Sequence, residues 1–175
     1  MDAMEAIFTR RSVRKYTEEP VSEKEVETLL RAAMAAPSAR NWRPWHFATI
    51  DERAKLEEIA EFHQYGKMAK DAPLAIAVLA DESIEPTKEY NLQNCSAAIE
   101  NMLLAAHALG LGAVWLGINP REQRMEGVRT MLGLPEDITP VAIVVVGRPA
   151  EKKERADRYD PKRVHRNKWE GRRED

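Results

Sequence analysis

The chain has 175 residues (19.9 kDa), 43% of them hydrophobic and 32% charged, the usage of an ordinary globular domain rather than a disordered or low-complexity one. Lys plus Arg is 27 and Asp plus Glu is 29, and the net charge of −2 argues against a dedicated nucleic-acid binder. A single cysteine, Cys95, excludes an intrachain disulfide; no Cys/His cluster has zinc spacing, and no apolar run approaches the roughly 20 residues of a membrane helix. With no apolar signal core at the N-terminus, the expectation is a soluble cytoplasmic protein without metal, membrane or nucleic-acid partner.

A short helix is predicted over Asp2 to Thr9, with Met4, Ile7 and Phe8 on one face. Ser22 can cap a second helix, Glu25 completes a capping box, and Val21 can staple to Val26. Val26, Leu29, Leu30, Ala33 and Met34 then form an apolar stripe that stops before Pro37. Trp45 to Ile50 reads as a strand. Glu52 to Phe62 reads as a helix capped by Asp51, with Leu56, Ile59 and Ala60 inward. The unbroken apolar run Leu74 to Ala80 suits a strand covered on both faces.

Glu89 to Leu109 is the longest helix candidate. Cys95, Ile99, Met102, Leu103 and Ala106 form its stripe, and five further Ala and Leu residues leave it little polar surface, so it belongs in a large core or a subunit contact. Gly110 is placed to end it. Ala113 to Ile118 is a strand, Asn119 and Pro120 read as the cap and first position of another helix closed by Gly133, and Val141 to Val146 is a further apolar strand. Residues 151–175 carry ten Lys/Arg and seven Asp/Glu with only Tyr159, Val164 and Trp169 as large apolar groups. Such a segment builds no core of its own and reads as an arm lying on another surface. The alternation of helices and strands is partial, so the fold is α/β or α+β around one mixed sheet.

There is no Gly-x-Gly-x-x-Gly and no Walker loop, and Gly110-Leu111-Gly112 follows a helix and precedes a strand, the reverse of a dinucleotide turn. Cys95 and the four histidines (His46, His63, His107 and His165) read as structural, and no Ser/His/Asp set can be nominated, so no catalytic side chain is assigned and the chemistry falls to a bound cofactor. Three segments carry positive signals. Arg10-Arg11-Ser12-Val13-Arg14-Lys15 places four cations and a hydroxyl in six residues, a set suited to a phosphate or to a solvated basic patch. In an extended backbone, Arg10, Ser12 and Arg14 would share one side. Pro37 to Phe47 joins a polar loop with Ser38 and Asn41 to an aromatic strand, and Gly112 to Ile118 is a strand whose Gly117 permits close approach by a flat ligand.

These segments, in this order, resemble the FMN-dependent nitroreductase family of the short type. The likeness rests on Arg10 to Arg14, on Pro37 to Phe47, on Asn101 to Gly112 followed by Trp115-Leu116-Gly117, and on Arg158-Tyr159-Asp160 with Arg163-Val164-His165. It implies an α+β fold with a central mixed, mostly antiparallel sheet surrounded by helices. It also implies an intertwined homodimer of single-domain chains (residues 1–175), with 151–175 packing on the partner subunit. Two FMN sites would lie between the subunits. Arg10, Ser12 and Arg14, with Arg11 close by, match phosphate and ribityl contacts. Pro37, Ser38 and Asn41 match a loop that approaches the flavin from the partner chain. Leu116 and Gly117 match backbone contacts to the ring, and Arg163, for which Lys162 could substitute, matches a late basic residue at the phosphate. Lys67 and Lys70 have no secure match, and Arg43 stands where many members have Gln. The implied activity is ping-pong transfer of reducing equivalents from NADH or NADPH through FMN to a nitroaromatic, quinone or similar small acceptor. The alternative is a flavin-binding protein of the same fold with a role outside NAD(P)H oxidation.

Overall fold

An apolar run with no polar side needs cover on both faces, and the fold supplies it. The structure is a computed structural model and describes residues 1–169. Helices α1 (Ala3–Thr9) and α2 (Glu23–Met34) precede strand β1 (Trp45–Ile50), and α3 (Arg53–Phe62) leads to β2 (Leu74–Asp81). Then come α4 (Lys88–Ala108), β3 (Gly112–Gly117), α5 (Glu122–Leu132) and β4 (Ile138–Gly147). The four strands form one sheet in the order β1-β2-β4-β3, and all three pairings are antiparallel. Among the described residues the one parallel pairing given is a bridge from Ser12 to Ala113 at the outer edge of β3. The α+β expectation holds, and the mixed character rests on that one bridge.

Side-chain alternation along the central strands separates two cores. Leu74, Ile76 and Val78 face α2 and α4, while Ala75, Ala77 and Leu79 face α3 and α5. Helix α4 is the spine of the first core: from Asn94 to His107 no residue is fully exposed. The capping box of Ser22 and Glu25 forms as expected, and the Glu25 carboxylate also takes two bonds from the Arg148 guanidinium at 2.8 and 3.1 Å.

Several local expectations are corrected. The cap position of α3 is Glu52 rather than Asp51, and it makes no side-chain cap bond. Helix α5 begins two residues later than expected, with Arg121 at the cap: the Asn119 N–H donates to the Val141 carbonyl of β4 and the Arg121 N–H to the Ile118 carbonyl, so Asn119 and Pro120 belong to the preceding turn. Strand β4 runs three residues further upstream, through Pro140. The missing N–H of proline is absorbed by a shift in register at Val78/Leu79, and the displaced Val141 carbonyl accepts from both Ile118 and Asn119. Met34 lies on the exposed side of α2, and Met4, Ile7 and Phe8 project outward from α1 while Ala6 packs inward.

The segment after α1 docks on β3. The Val13 N–H donates to the Ala113 carbonyl at 3.0 Å, and the Tyr16 hydroxyl donates back to the Val13 carbonyl at 2.6 Å. Gly112 makes the approach possible, since a Cβ there would lie 2.6 Å from the Val13 side chain. Gly112→Ala is therefore expected to cost about 1–3 kcal/mol in urea unfolding, the range for overpacking a tight contact. Gly117→Ala is the control, because a Cβ at Gly117 meets nothing within 4 Å. It should change stability by less than about 0.5 kcal/mol.

Candidate functional site

Docking of the Arg10 to Val13 segment on β3 creates a cleft of about 420 Å³ at the start of that strand. Val13, Leu103, Leu111 and Ala113 form apolar wall, while Arg10, Arg11, Lys152, Lys153 and Arg155 bring cations to it and Glu151 the one carboxylate. Glu151 is itself bonded, to the Lys153 ammonium at 2.7 Å and to the Arg14 backbone N–H at 2.7 Å. Those two contacts hold its carboxyl below the usual carboxylate range. The Arg11 guanidinium donates to the Glu154 carbonyl, so the start of the C-terminal segment is strapped over the cationic one. Arg10 is mostly buried, with its Nε 3.4 Å from Glu100 of α4. His107, in the last turn of α4, bonds Thr9 at 2.8 Å. Burial and the nearby Arg10 charge push its pKa down. The net excess of cations gives this cleft a positive character complementary to a multiply charged anion.

The expected one-sided array is only partly realised. Arg10 and Arg11 line the cleft together, whereas Ser12 and Arg14 are outside its lining and contribute their backbone to docking. Arg163 is 86% exposed, ion-paired to Asp160 at 3.3 Å, and away from the cleft in this chain. Lys152, Lys153 and Arg155 stand there instead. Sequence reasoning passed over them because they belong to a run of mixed charge with no local pattern.

Strand β3 supplies a second feature. The Ala113 carbonyl points away from β4, toward Val13, so Ala113 and its partner Val146 are a non-hydrogen-bonded pair. By alternation Trp115 and Gly117 also turn their N–H and C=O groups outward. Among the described residues the outward Trp115 N–H and C=O and the Gly117 N–H have no backbone partner. About 17 Å of strand separates Gly112 from Gly117. Along it runs a free donor–acceptor–donor edge, next to the open space over the Gly117 Cα. The Leu116 side chain is buried on the opposite face, and by the same alternation its N–H and C=O turn toward Ile143 of β4, so the free polar groups of this edge belong to its neighbours Trp115 and Gly117.

The Gly117 carbonyl is occupied. The His63 Nε2 lies 3.0 Å from it and the Arg124 Nη1 donates to it at 2.8 Å. His63 is 2% exposed, and its Nδ1 accepts the Tyr65 N–H at 3.2 Å. With Nδ1 an acceptor, the proton sits on Nε2 and the ring is neutral. Burial first, then the Arg124 charge, hold its pKa below 6.5. Neither residue carried a motif that marked it in the sequence.

The third feature is the loop after α2. Arg40, Asn41 and Arg43 all have left-handed backbone (φ 52°, 58° and 52°). Such a run persists only when its surroundings fix it. The Ser38 hydroxyl accepts from the Arg43 N–H at 3.0 Å, and the Ala39 N–H donates to the buried Asn94 side chain at 2.9 Å. The Arg40 guanidinium lies 4.6 Å from the Trp42 ring and 3.7 Å from the buried Glu85 carboxylate. Pro37 and Asn41 are exposed beside this anchored turn. The loop is tied to α4 at Asn94 and the cleft at Glu100 and His107, roughly 9 to 20 Å further along the helix. Within one chain the two therefore stay apart. Lys67 and Lys70 sit exposed on a 3-10 turn (Lys67–Asp71), with Arg53 bonded to the Lys70 carbonyl. Cys95 is buried and its thiol pKa is pushed up to about 12, which leaves it unreactive. Among the described residues no group of three or more His, Cys, Asp or Glu could hold a metal, and no helix is long and apolar enough to cross a membrane.

A histidine held neutral has a pH signature. The unfolded chain protonates His63 near 6.5, while the folded chain resists until a lower pH. Its contribution is thus complete above about 6.5 and is lost as pH falls from there through the depressed folded value. His107 acts in the same direction. His63→Gln, which keeps a donor and cannot titrate, should narrow the stability difference between about pH 7.5 and 5.5 in urea titrations. An undiminished difference would show that His63 is not held neutral.

The sequence profile described as Nitroreductase family matches residues 7–64 and 63–148. A Methanothermobacter thermautotrophicus protein provisionally named NADH dehydrogenase/NAD(P)H nitroreductase is 49% identical over 169 residues, 97% of this chain and 88% of its own. An FMN-dependent nitroreductase structure from Clostridium difficile superposes with a TM-score of 0.88 at 30% identity, covering 95% of this chain and 99% of that one. A nitroreductase structure in complex with FMN from Desulfovibrio desulfuricans, itself provisionally named, gives 0.79 at 33% identity, over 91% and 93%. The anion cleft and the open strand edge thus lie within a chain that belongs to the nitroreductase family.

Proposed function

We propose that this protein is an FMN-dependent NAD(P)H oxidoreductase that acts by a ping-pong mechanism on nitroaromatic, quinone or similar small acceptors. The observation that carries the reading is the pairing of a multiply cationic cleft with a free backbone edge on one strand. The cleft fits a phosphate. The edge fits the alternating donors and acceptors of a flavin pyrimidine ring, and the open Cα of Gly117 leaves room for a flat ring system. FMN, when bound, supplies the two-electron chemistry, taking hydride from NAD(P)H and returning electrons to the acceptor.

The chain's own residues bind and orient. Arg10 and Arg11, with Lys153 and Arg155, hold the phosphate end, and Ser12 and Arg14 fix the segment that carries them. The outward backbone groups of Trp115 and Gly117, on either side of Leu116, orient the ring. Pro37, Ser38 and Asn41 complete the site from a second copy of the chain, because the loop that bears them is held well away from the cleft of its own chain. No side chain acts as an obligate acid or base. Fixed donors aimed at the ring favour its more negatively charged reduced form.

A homodimer of single-domain chains also accounts for surface that one chain leaves bare. Met4, Ile7 and Phe8 of α1 are 49–56% exposed, and Tyr159 and Trp169 of the C-terminal segment are 68% and 81% exposed. Apolar groups clustered in this way mark an interaction surface. Within the C-terminal arm (151–175), residues up to Arg155 stay on their own chain's cleft and the part beyond reaches the partner; residues 170–175 lie outside the described residues. NAD(P)H and the acceptor occupy the same open space over Gly117 in turn.

The purified protein should be yellow, release FMN on denaturation, and give parallel double-reciprocal lines with NADH or NADPH and a quinone. Colourless protein that FMN cannot reconstitute would refute the reading. Arg10→Ala should weaken FMN binding by about 10- to 150-fold, the equivalent of one lost charge-assisted bond.

A further inference from the structure

We propose that His63 and Arg124 form a two-donor clamp on the Gly117 carbonyl, and that Arg124 is the charge through which this clamp raises the reduction potential of the bound flavin. The inference rests on the FMN reading above and adds to it two residues outside the family's motif segments. A carbonyl has two lone pairs, and here both are taken: His63 Nε2 at 3.0 Å and Arg124 Nη1 at 2.8 Å. The two donors come from different elements, the exit of α3 and the first turn of α5. The histidine is locked at both nitrogens, since its Nδ1 accepts from Tyr65. Gly66 closes the turn around the ring; a Cβ at that position would come 2.9 Å from the His63 Cβ.

A strand end needs far less than this. One neutral, buried donor satisfies the carbonyl, and His63 is that donor. The guanidinium adds a charge that the strand does not require. Among the described residues Arg124 has no carboxylate within 4 Å to neutralise it. The exposed Tyr65 ring lies 6.0 Å from the guanidinium. The charge is therefore fixed at the very residue whose N–H faces the open edge of β3. Reduced flavin carries more negative charge than oxidised flavin, so a fixed cation at this end binds the reduced form more tightly. The clamp has a second effect. Because the carbonyl is already filled, the end of the edge presents only a donor to the ligand. His63 is the positioning arm and Arg124 the electrostatic one.

The test is a redox titration of the FMN-loaded protein and three variants. Arg124→Gln keeps an N–H donor and removes the charge. It is expected to lose about tenfold in the binding of reduced over oxidised FMN, read as a midpoint potential lower by about 30 mV for a two-electron couple. Oxidised FMN should still bind within about threefold of the parent protein, because the phosphate site is untouched. Arg124→Lys should recover most of the potential. His63→Gln should leave it near the parent value, since only a neutral donor is exchanged. Arg124 is only half-buried, so its variants are expected to fold, and thermal unfolding of the apo forms checks this. A parent-like potential in flavin-loaded Arg124→Gln overturns the proposal and leaves the FMN reading standing. A parent protein that takes up no FMN overturns both.

Discussion

One contact between backbone and backbone sets up everything that this molecule can do. The N–H of Val13 meets the carbonyl of Ala113 on the outer edge of β3, and Gly112 lets the Val13 side chain settle against the strand. That bond carries the segment bearing Arg10 and Arg11 onto the sheet and turns a solvated basic run into the wall of a cleft. It also covers the edge of β3 only at its first residues. Further along, Trp115 and Gly117 keep their outward groups free, and an edge strand that would elsewhere invite a neighbouring strand becomes a binding surface.

The cleft brings charges from both ends of the chain together. Arg10 and Arg11 come from the first turn after α1, and Lys152, Lys153 and Arg155 from the segment that leaves β4. Like charges placed so closely repel one another, and the protein manages them locally. Arg10 leans on Glu100, Lys153 on Glu151, and Arg11 on a backbone carbonyl. None of these contacts is a deeply buried, fully satisfied pair, so the cations stay available to an incoming anion that can exchange with weak surface partners. The opposite end of β3 follows another rule. There the charged group, Arg124, is already committed by a short bond to a carbonyl, and in the clamp we propose its influence on a ligand comes through its field rather than by contact.

The loop from Pro37 to Arg43 is the third constraint. Three left-handed residues in one short stretch would relax in an unsupported loop. Here the bond from Ala39 to Asn94, the Ser38 hydroxyl and the Arg40–Glu85 contact hold them. The anchoring on α4 holds this loop away from the cleft of its own chain. In the homodimer we propose, the loop completes the second copy's site, and the same contact covers α1 and the exposed aromatic residues of the C-terminal segment.

The sequence alone determined the elements and their faces. Local patterns set these: the capping box at Ser22, the stripe from Cys95 to Ala106, the left-handed glycines that close α4 and α5, and the two-sided apolar strands. It also marked Arg10, Arg11 and Gly117, because a cluster of cations and a strand glycine are visible without a fold. Tertiary structure decided what local pattern does not encode. An apolar run shows that both faces are covered but not which way its neighbours run, so the antiparallel order β1-β2-β4-β3 was open until hydrogen bonds settled it. The bulge at Pro140 and the late start of α5 depend on backbone groups of distant strands. The late cations of the cleft and the clamp of His63 and Arg124 depend on residues far apart in the chain, 143 positions from Arg11 to Glu154 and 54 from His63 to Gly117, which meet only after the intervening chain has folded. Charge and hydrogen bonding act through space, and only the folded chain brings those groups within reach of one another.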